Sequence, residues 1–163
     1  MMKPILIYLS LVIFLTSCQP TVATQGITAE VQKVISGQTL EVATNGQTMR
    51  VRLIGIDAPD LRQQPWGQTA KAELEKILKD PRVVIELDEQ PEEFGRRLAY
   101  IWYNDILVNE QLVKQGYALA TLQGKYAQRL RSAQQWARLM ERGIWNPSKP
   151  MRLTPAEFRS QYR

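Results

Sequence analysis

The stretch Arg50–Asp60, with the sequence RVRLIGIDAPD, restricts the possible folds of this chain more than any other feature. Its first half is apolar and β-branched, with arginines two positions apart, a pattern that predicts a strand with one charged face. Pro59 lacks an amide donor and favours an extended or turn conformation before it, so the strand ends there and two aspartates lie on a turn. Strand alternation places Arg52 and Asp57 on opposite faces. They can meet at one ligand only if the chain bends, and Gly55 is the predicted position of that bend.

The charged side chains of this stretch suit a phosphate and a cation. Asp57 and Asp60 are three residues apart and can share a hard cation through their oxygens. The guanidinium of Arg52 can hold a phosphate through two parallel hydrogen bonds. On these residues alone, a solvated strand end with balanced charges remains an alternative.

The composition excludes several kinds of active site. The chain has no histidine, which excludes histidine acid–base catalysis, Ser-His-Asp triads and histidine-containing zinc sites. Its single cysteine excludes internal disulfides and argues against cysteine catalysis. Catalysis would have to rely on carboxylates, arginines, lysines, hydroxyl groups or an oxygen-bound metal. The net charge of +5 favours polyanionic partners.

The N-terminus predicts export. Residues 1–17 combine an early lysine with a short apolar run, which is typical of a signal peptide and too short for an ordinary membrane-spanning helix. The run ends in Leu-Thr-Ser-Cys at Cys18, which resembles the lipobox of bacterial lipoproteins. That resemblance implies cleavage before Cys18, lipidation of Cys18 and anchoring at the extracytoplasmic face of a membrane, with residues 18–27 as a tether. A plain signal peptide followed by a chance cysteine is the alternative.

The folded part begins with three predicted antiparallel strands. Thr28–Ile35 and Thr39–Thr44 are separated by Ser-Gly-Gln, and Asn45-Gly46 is a strong hairpin signal before the third strand, the stretch that starts at Arg50. Two further strands, Arg82–Leu87 and Leu98–Tyr103, alternate apolar and polar residues.

Helical signals follow the third and fifth strands. The first predicted helix buries Ala70, Leu74, Ile77 and Leu78 and ends before Pro81; a second is N-capped by Asn109 and closed by Gly116. A third runs over 126–141, with Tyr126, Leu130, Ala133, Ala137 and Met140 inward and Gly143 as its cap. The predicted fold is α+β: a five-stranded OB-fold barrel with about three packed helices, in a domain spanning residues 28–145. The tail 146–163 carries a possible capping box, Thr154 to Glu157, and could end in one helical turn.

Four motifs, in this order, resemble those of the staphylococcal nuclease (thermonuclease) family. They are VISGQTL (34–40), VRLIGIDAPD (51–60), FGRRLAYI (94–101) and VNEQLVKQG (108–116). The resemblance covers about residues 28 to 145. It implies an OB-fold nuclease that cuts phosphodiester bonds in DNA and RNA with calcium.

The resemblance also implies roles for individual residues. Arg52 and Arg96 match the arginines that hold the phosphate and stabilise its transition state. Asp57 matches a calcium ligand, and the carbonyl of Ala58 matches a backbone ligand. Asp60 stands where the family has a glutamate that serves as general base. Tyr100 lies within a motif, and we assign it to core packing.

Two positions depart from the family pattern. Ser36-Gly37-Gln38 replaces Asp-Gly-Asp, so Gln38 can offer calcium only a neutral carbonyl oxygen. Asp60 is one methylene shorter than glutamate, which moves the base away from its water.

The sequence therefore predicts an exported, lipid-anchored, calcium-dependent nuclease with a partly altered metal and base site. Its expected partners are DNA, RNA and, through Cys18, a membrane; no protein partner is implied, and we expect a monomer. Two alternatives remain open at this point: a non-catalytic module that binds nucleic acid or another polyanion, and a structural protein that uses the fold as a scaffold.

Overall fold

The computed structural model of the chain describes residues 26–91, 95–121 and 123–162. The predicted signal peptide, Cys18 and nearly all of the tether therefore lie outside the described residues, as does Phe94.

Three consecutive antiparallel strands form one side of a sheet. They are β1 (Ile27–Ser36), β2 (Thr39–Thr44) and β3 (Gln47–Leu53). Thr44 pairs with Gln47, so the β2–β3 hairpin has a two-residue loop. Both loop residues have positive φ, 50° at Asn45 and 75° at Gly46, which is the conformation that an Asn-Gly hairpin turn requires. The predicted hairpin is confirmed.

Two more strands close the sheet into a barrel. β5 (Arg82–Pro91) pairs antiparallel with β1, and β6 (Arg97–Tyr103) pairs antiparallel with β5 and parallel with β3. The result is the predicted five-stranded barrel of the OB type. Shorter strands lie outside it: β4 (Ile56–Asp57) pairs with β8 (Leu119–Ala120), and β7 (Ile106–Leu107) pairs antiparallel with the end of β6.

Four α-helices occur among the described residues, one more than predicted. They are α1 (Trp66–Ile77), α2 (Val108–Lys114), α3 (Ala127–Leu139) and α4 (Pro155–Gln161), with a 3-10 turn at Gly143–Trp145. The additional helix is the tail, where the predicted capping box between Thr154 and Glu157 is formed and α4 extends beyond a single turn. None of the helices in the described part of the chain is long and apolar enough to cross a membrane.

Alternating apolar residues of the barrel strands form the core with one face of each of the first three helices. Fully buried side chains include Leu40, Val42, Val51, Leu53, Ile85 and Ile101 from the strands and Leu74, Leu112 and Leu130 from the helices. Each such side chain stabilises the fold by about 1.5–3 kcal/mol relative to an exposed position. Tyr100 is also buried, as expected for a packing role. Met140 was predicted to face inward but is 51% exposed, because α3 ends at Leu139 and the chain turns away.

Asn109 is not the N-cap of α2. The helix starts at Val108, two residues earlier than an N-cap at Asn109 would place it, because β7 runs directly into it, and Leu107 is the capping position. Asn109 is 0% exposed. Its Oδ1 accepts a hydrogen bond from the Ile101 amide at 3.0 Å, and its Nδ2 donates to the Ile54 carbonyl at 2.9 Å. One side chain thus satisfies a backbone group of β6 and one of the residue that follows β3, where the barrel closes.

Candidate functional site

A bend at Gly55 brings Arg52 and Asp57 to the same place. Gly55 has a φ of +77°, a conformation that glycine adopts without strain. After the bend the chain continues as β4, which pairs with β8 instead of extending β3. Arg52 Nη2 consequently lies 3.9 Å from Asp57 Oδ1, and both side chains are partly buried. The predicted bend is present, and it overcomes the alternation that would separate the two residues.

The parallel pairing of β3 and β6 brings the segment that carries Arg96 next to Arg52. Val51 pairs with Arg97 and Arg52 pairs with Leu98. Position 96 immediately precedes β6, and alternation assigns it to the same face of the sheet as Leu98 and Arg52. The topology therefore places two arginines on one face, at the edge of the barrel where Asp57 lies.

Gln38 supports the loop after β4. It is 8% exposed, and its Oε1 accepts a hydrogen bond of 2.7 Å from the Ala58 amide. The β1–β2 turn approaches this loop closely: a Cβ placed on Gly37 would lie 3.1 Å from the Ala58 Cβ and 2.6 Å from that of Ala70. The structure thus brings Gln38 and Ala58 together through an amide hydrogen bond that leaves one lone pair on the Gln38 oxygen.

Asp60 forms an ion pair with Arg62. Its Oδ1 accepts hydrogen bonds from the Arg62 amide and Nε, both at 2.9 Å, and Oδ2 accepts one from Nη2 at 3.3 Å. The hydrogen bond from the Arg62 side chain lowers the pKa of Asp60 below its ordinary value of 3.8, although partial burial opposes the shift. Asp60 is therefore ionised at neutral pH, and as a base it is weaker than an unpaired aspartate.

The lowered pKa of Asp60 makes a contribution to stability that depends on pH. A carboxyl group whose pKa is lower in the folded state stabilises the fold above its unfolded pKa, and this contribution is lost as the pH falls through the folded value. We expect Asp60→Asn to be less stable than wild type at pH 7, with the difference shrinking below about pH 4. Urea unfolding at pH 7, 5 and 3 measures it. Arg62→Gln should show the same pH trend, and a difference that stays constant with pH would contradict the assignment.

Arg159 of α4 is a site residue that sequence reasoning missed. Its Nη2 donates a 2.8 Å hydrogen bond to Asp57 Oδ2, across a separation of 102 residues. The capping box predicts a helical turn in the tail, but no local pattern indicates where that turn packs. Arg62 was also missed, although its position two residues after Asp60 allows the observed side-chain hydrogen bond to be anticipated.

Asp57 offers the charged oxygens of the predicted cation site. Asp57 Oδ1 is buried and accepts no hydrogen bond from the described residues. Gln38 Oε1 and the Ala58 carbonyl can add neutral oxygen donors. Within residues 26–91, 95–121 and 123–162, no cluster of three or more histidine, cysteine or acidic side chains is arranged to hold a metal. Oxygen donors with few charges suit a divalent ion such as Ca²⁺ at low affinity.

Comparison with known proteins identifies a related family. The family model described as "Staphylococcal nuclease homologue" matches residues 50–147, a range that includes Arg52, Asp57, Asp60 and Arg96. Gln38 and Arg159 lie outside the matched range.

Individual relatives resemble most of the chain. The thermonuclease of Staphylococcus intermedius is 37% identical over 124 residues, which is 71% of this chain and 74% of the relative. The thermonuclease of Staphylococcus hyicus is 34% identical over 128 residues, covering 73% and 76% of the two chains. An uncharacterized endonuclease of Haemophilus influenzae is 31% identical over 135 residues, covering 82% and 74%.

Proposed function

Because the chain belongs to the staphylococcal nuclease homologue family, we propose that it is a nuclease that hydrolyses phosphodiester bonds of DNA and RNA at the Arg52–Asp57 site. One observation carries the assignment: the parallel β3–β6 pairing brings Arg52 and the segment with Arg96 to one face, beside Asp57. Two guanidinium groups on one face suit a phosphodiester, whose oxygens they can bind in pairs.

The reaction needs charge stabilisation and a positioned water. Arg52 and Arg96 bind the equatorial phosphate oxygens, where negative charge increases as the reaction proceeds. The water oxygen forms a bond to phosphorus while the bond from phosphorus to one sugar oxygen breaks. Asp60 accepts the proton of the water, and the departing sugar oxygen takes a proton from solvent. Asp60 acts in this step only when Arg62 leaves at least one carboxylate oxygen accessible.

We propose Ca²⁺ as the cofactor, held by Asp57, the Ala58 carbonyl and Gln38. When bound, this ion supplies positive charge next to the phosphate. Gln38 contributes no charge, and Asp57 is shared with two arginines, so the affinity is expected to be low. The metal site is therefore partly altered, and its expected affinity for Ca²⁺ is low.

The test is digestion of plasmid DNA and of RNA by the purified protein with Ca²⁺, with Mn²⁺ or with a chelator. Cleavage that requires a divalent ion and is lost in Asp57→Asn supports the proposal. Absence of cleavage under every condition would overturn it. That outcome would favour a module that binds nucleic acid without cleaving it. The pairing of Asp60 with Arg62 and of Asp57 with Arg159 would then explain the lack of cleavage.

We also propose that the mature protein begins at Cys18 and is anchored to the extracytoplasmic face of a membrane by lipid on that residue. The LTSC sequence at residues 15–18 supports this location. Cys18→Ala is expected to move the protein from the membrane fraction to the soluble or precursor fraction, because lipid is the proposed anchor. Cell fractionation with immunoblotting measures the change. A Cys18→Ala protein with the same membrane fraction and the same gel mobility as wild type would refute lipidation, and Ser17→Ala, which leaves the cysteine in place, is the control.

A further inference from the structure

The C-terminal helix α4 is held firmly beside the candidate site. Its first turn carries the capping box, and Pro155 is buried. Upstream of the helix, Gln63 Nε2 donates a 2.6 Å hydrogen bond to the Leu153 carbonyl. At its end, Arg62 Nη1 donates to the Tyr162 carbonyl at 3.0 Å, and the Arg62 guanidinium lies 6.0 Å from the centre of the Phe158 ring. Contacts at both ends of α4 thus fix it to the loop that follows β4.

Because α4 lies beside the site, the side chain of Arg159 contacts Asp57, the carboxylate that is proposed to hold the cation. The hydrogen bond from Arg159 Nη2 to Asp57 Oδ2 is short, at 2.8 Å, and Arg52 Nη2 lies 3.9 Å from the other oxygen. Asp57 is therefore flanked by a guanidinium on each side. A divalent cation approaching Asp57 meets two positive charges within a few ångströms, and their repulsion is substantial in a partly buried site.

The neutral residue at position 38 explains why Asp57 can pair with Arg159. Gln38 is buried and neutral, and its amide oxygen is used by the Ala58 amide. Among the residues that the structure describes, no group of three or more acidic, histidine or cysteine side chains surrounds Asp57 to hold a metal. Its single negative charge can instead be balanced by a guanidinium group. Arg159, a residue of the same chain, supplies that guanidinium group.

We propose that Arg159 is a built-in counter-ion of Asp57 that competes with the divalent cation and sets the cation affinity of the site. This inference rests on the proposed cation site at Asp57. In the structure described above, Asp57 Oδ2 is held by the guanidinium, and the cation binds fully only when Arg159 has moved away. The apparent affinity for the cation is then reduced by the fraction of molecules in which Asp57 is released.

The test is calorimetric titration of Ca²⁺ into the full-length protein and three variants. Arg159→Gln is expected to bind Ca²⁺ about three- to fivefold more tightly than wild type, the scale set by one partly exposed ion pair. Arg152→Gln is the matched control, because it removes the same charge from an exposed position in the same tail. Its affinity should change by less than about twofold, since general charge effects are screened. Asp57→Asn should remove the binding.

A second measurement does not depend on a substitution. Saturating Ca²⁺ should increase amide hydrogen exchange in residues 156–161 of the wild-type protein, because the ion releases Arg159 and loosens α4. Equal Ca²⁺ affinity in wild type and Arg159→Gln, or no Ca²⁺ binding by Arg159→Gln, would overturn the proposal. Neither result depends on cleavage, so the digestion assay tests the nuclease function separately.

Discussion

Replacing Arg96 by alanine is expected to reduce the turnover number by about two to three powers of ten, the scale for losing one donor to a developing oxyanion. The charge on the phosphate oxygens increases as the bond to the sugar oxygen breaks, so Arg96 stabilises the transition state more than the bound substrate. The Michaelis constant should therefore change far less than the turnover number. Single-turnover cleavage of a defined oligonucleotide, with binding measured separately, resolves the two effects.

The same variant distinguishes an enzyme from a binding module. In a module that only binds nucleic acid, Arg96→Ala would weaken binding and reduce the salt dependence of binding by about one unit of slope. Arg131 is the matched control, because it is an arginine with an exposed side chain on α3. Arg131→Ala should leave turnover and affinity nearly unchanged. Wild-type protein without metal-dependent cleavage, together with an Arg96→Ala protein that only binds more weakly, would contradict the catalytic role.

Replacing Asn109 by alanine is expected to cost about 3 kcal/mol or more of unfolding free energy. The substitution leaves the Ile101 amide and the Ile54 carbonyl without their side-chain partner, in a position with no access to water. Each unsatisfied buried backbone group costs about 1–3 kcal/mol, and the lost volume adds a cavity. Urea or thermal unfolding measures the loss.

Two variants make the Asn109 result specific. Gln128→Ala truncates an exposed amide on α3 and should change the stability by less than about 0.5 kcal/mol. Asn109→Asp keeps an acceptor for the Ile101 amide but buries a carboxylate against the Ile54 carbonyl, so it should destabilise the fold at pH 7 at least as much as alanine does. A loss below about 1 kcal/mol in Asn109→Ala would mean that water replaces the side chain and that Asn109 does not secure the barrel closure.

Features with local causes could be predicted from the sequence. The Asn45-Gly46 turn has the φ values that only a few residue types adopt readily, so the hairpin follows from two residues. The bend at Gly55 could be inferred from the need to bring Arg52 and Asp57 together. The capping box at Thr154 is likewise a pattern of four consecutive residues. In each case the physical cause lies within a few positions of its effect.

Features that depend on distant parts of the chain could not be predicted in this way. Asparagine is a common N-cap residue, which is why the sequence predicts a cap at Asn109. Its side-chain amide instead bonds to Ile101 and Ile54 in the core, and these partners are known only from the fold. Arg159 stands in a polar tail, and its contact with Asp57 depends on how the barrel and α4 pack. The family resemblance supplied the role of Arg96, because no local pattern pairs position 97 with Val51.

The parallel pairing of β3 with β6 also determines when the site forms during folding. The β1–β2–β3 meander can form early, because its turns are short and hairpins assemble within microseconds. Joining β6 to β3 requires closing a long loop that contains α1 and β5, and this costs entropy before any contact compensates for it. In a partly folded chain, Arg52 and Arg96 are therefore not yet held together to bind a phosphate. In a refolding experiment, recovery of cleavage would report closure of the barrel rather than formation of the first hairpin.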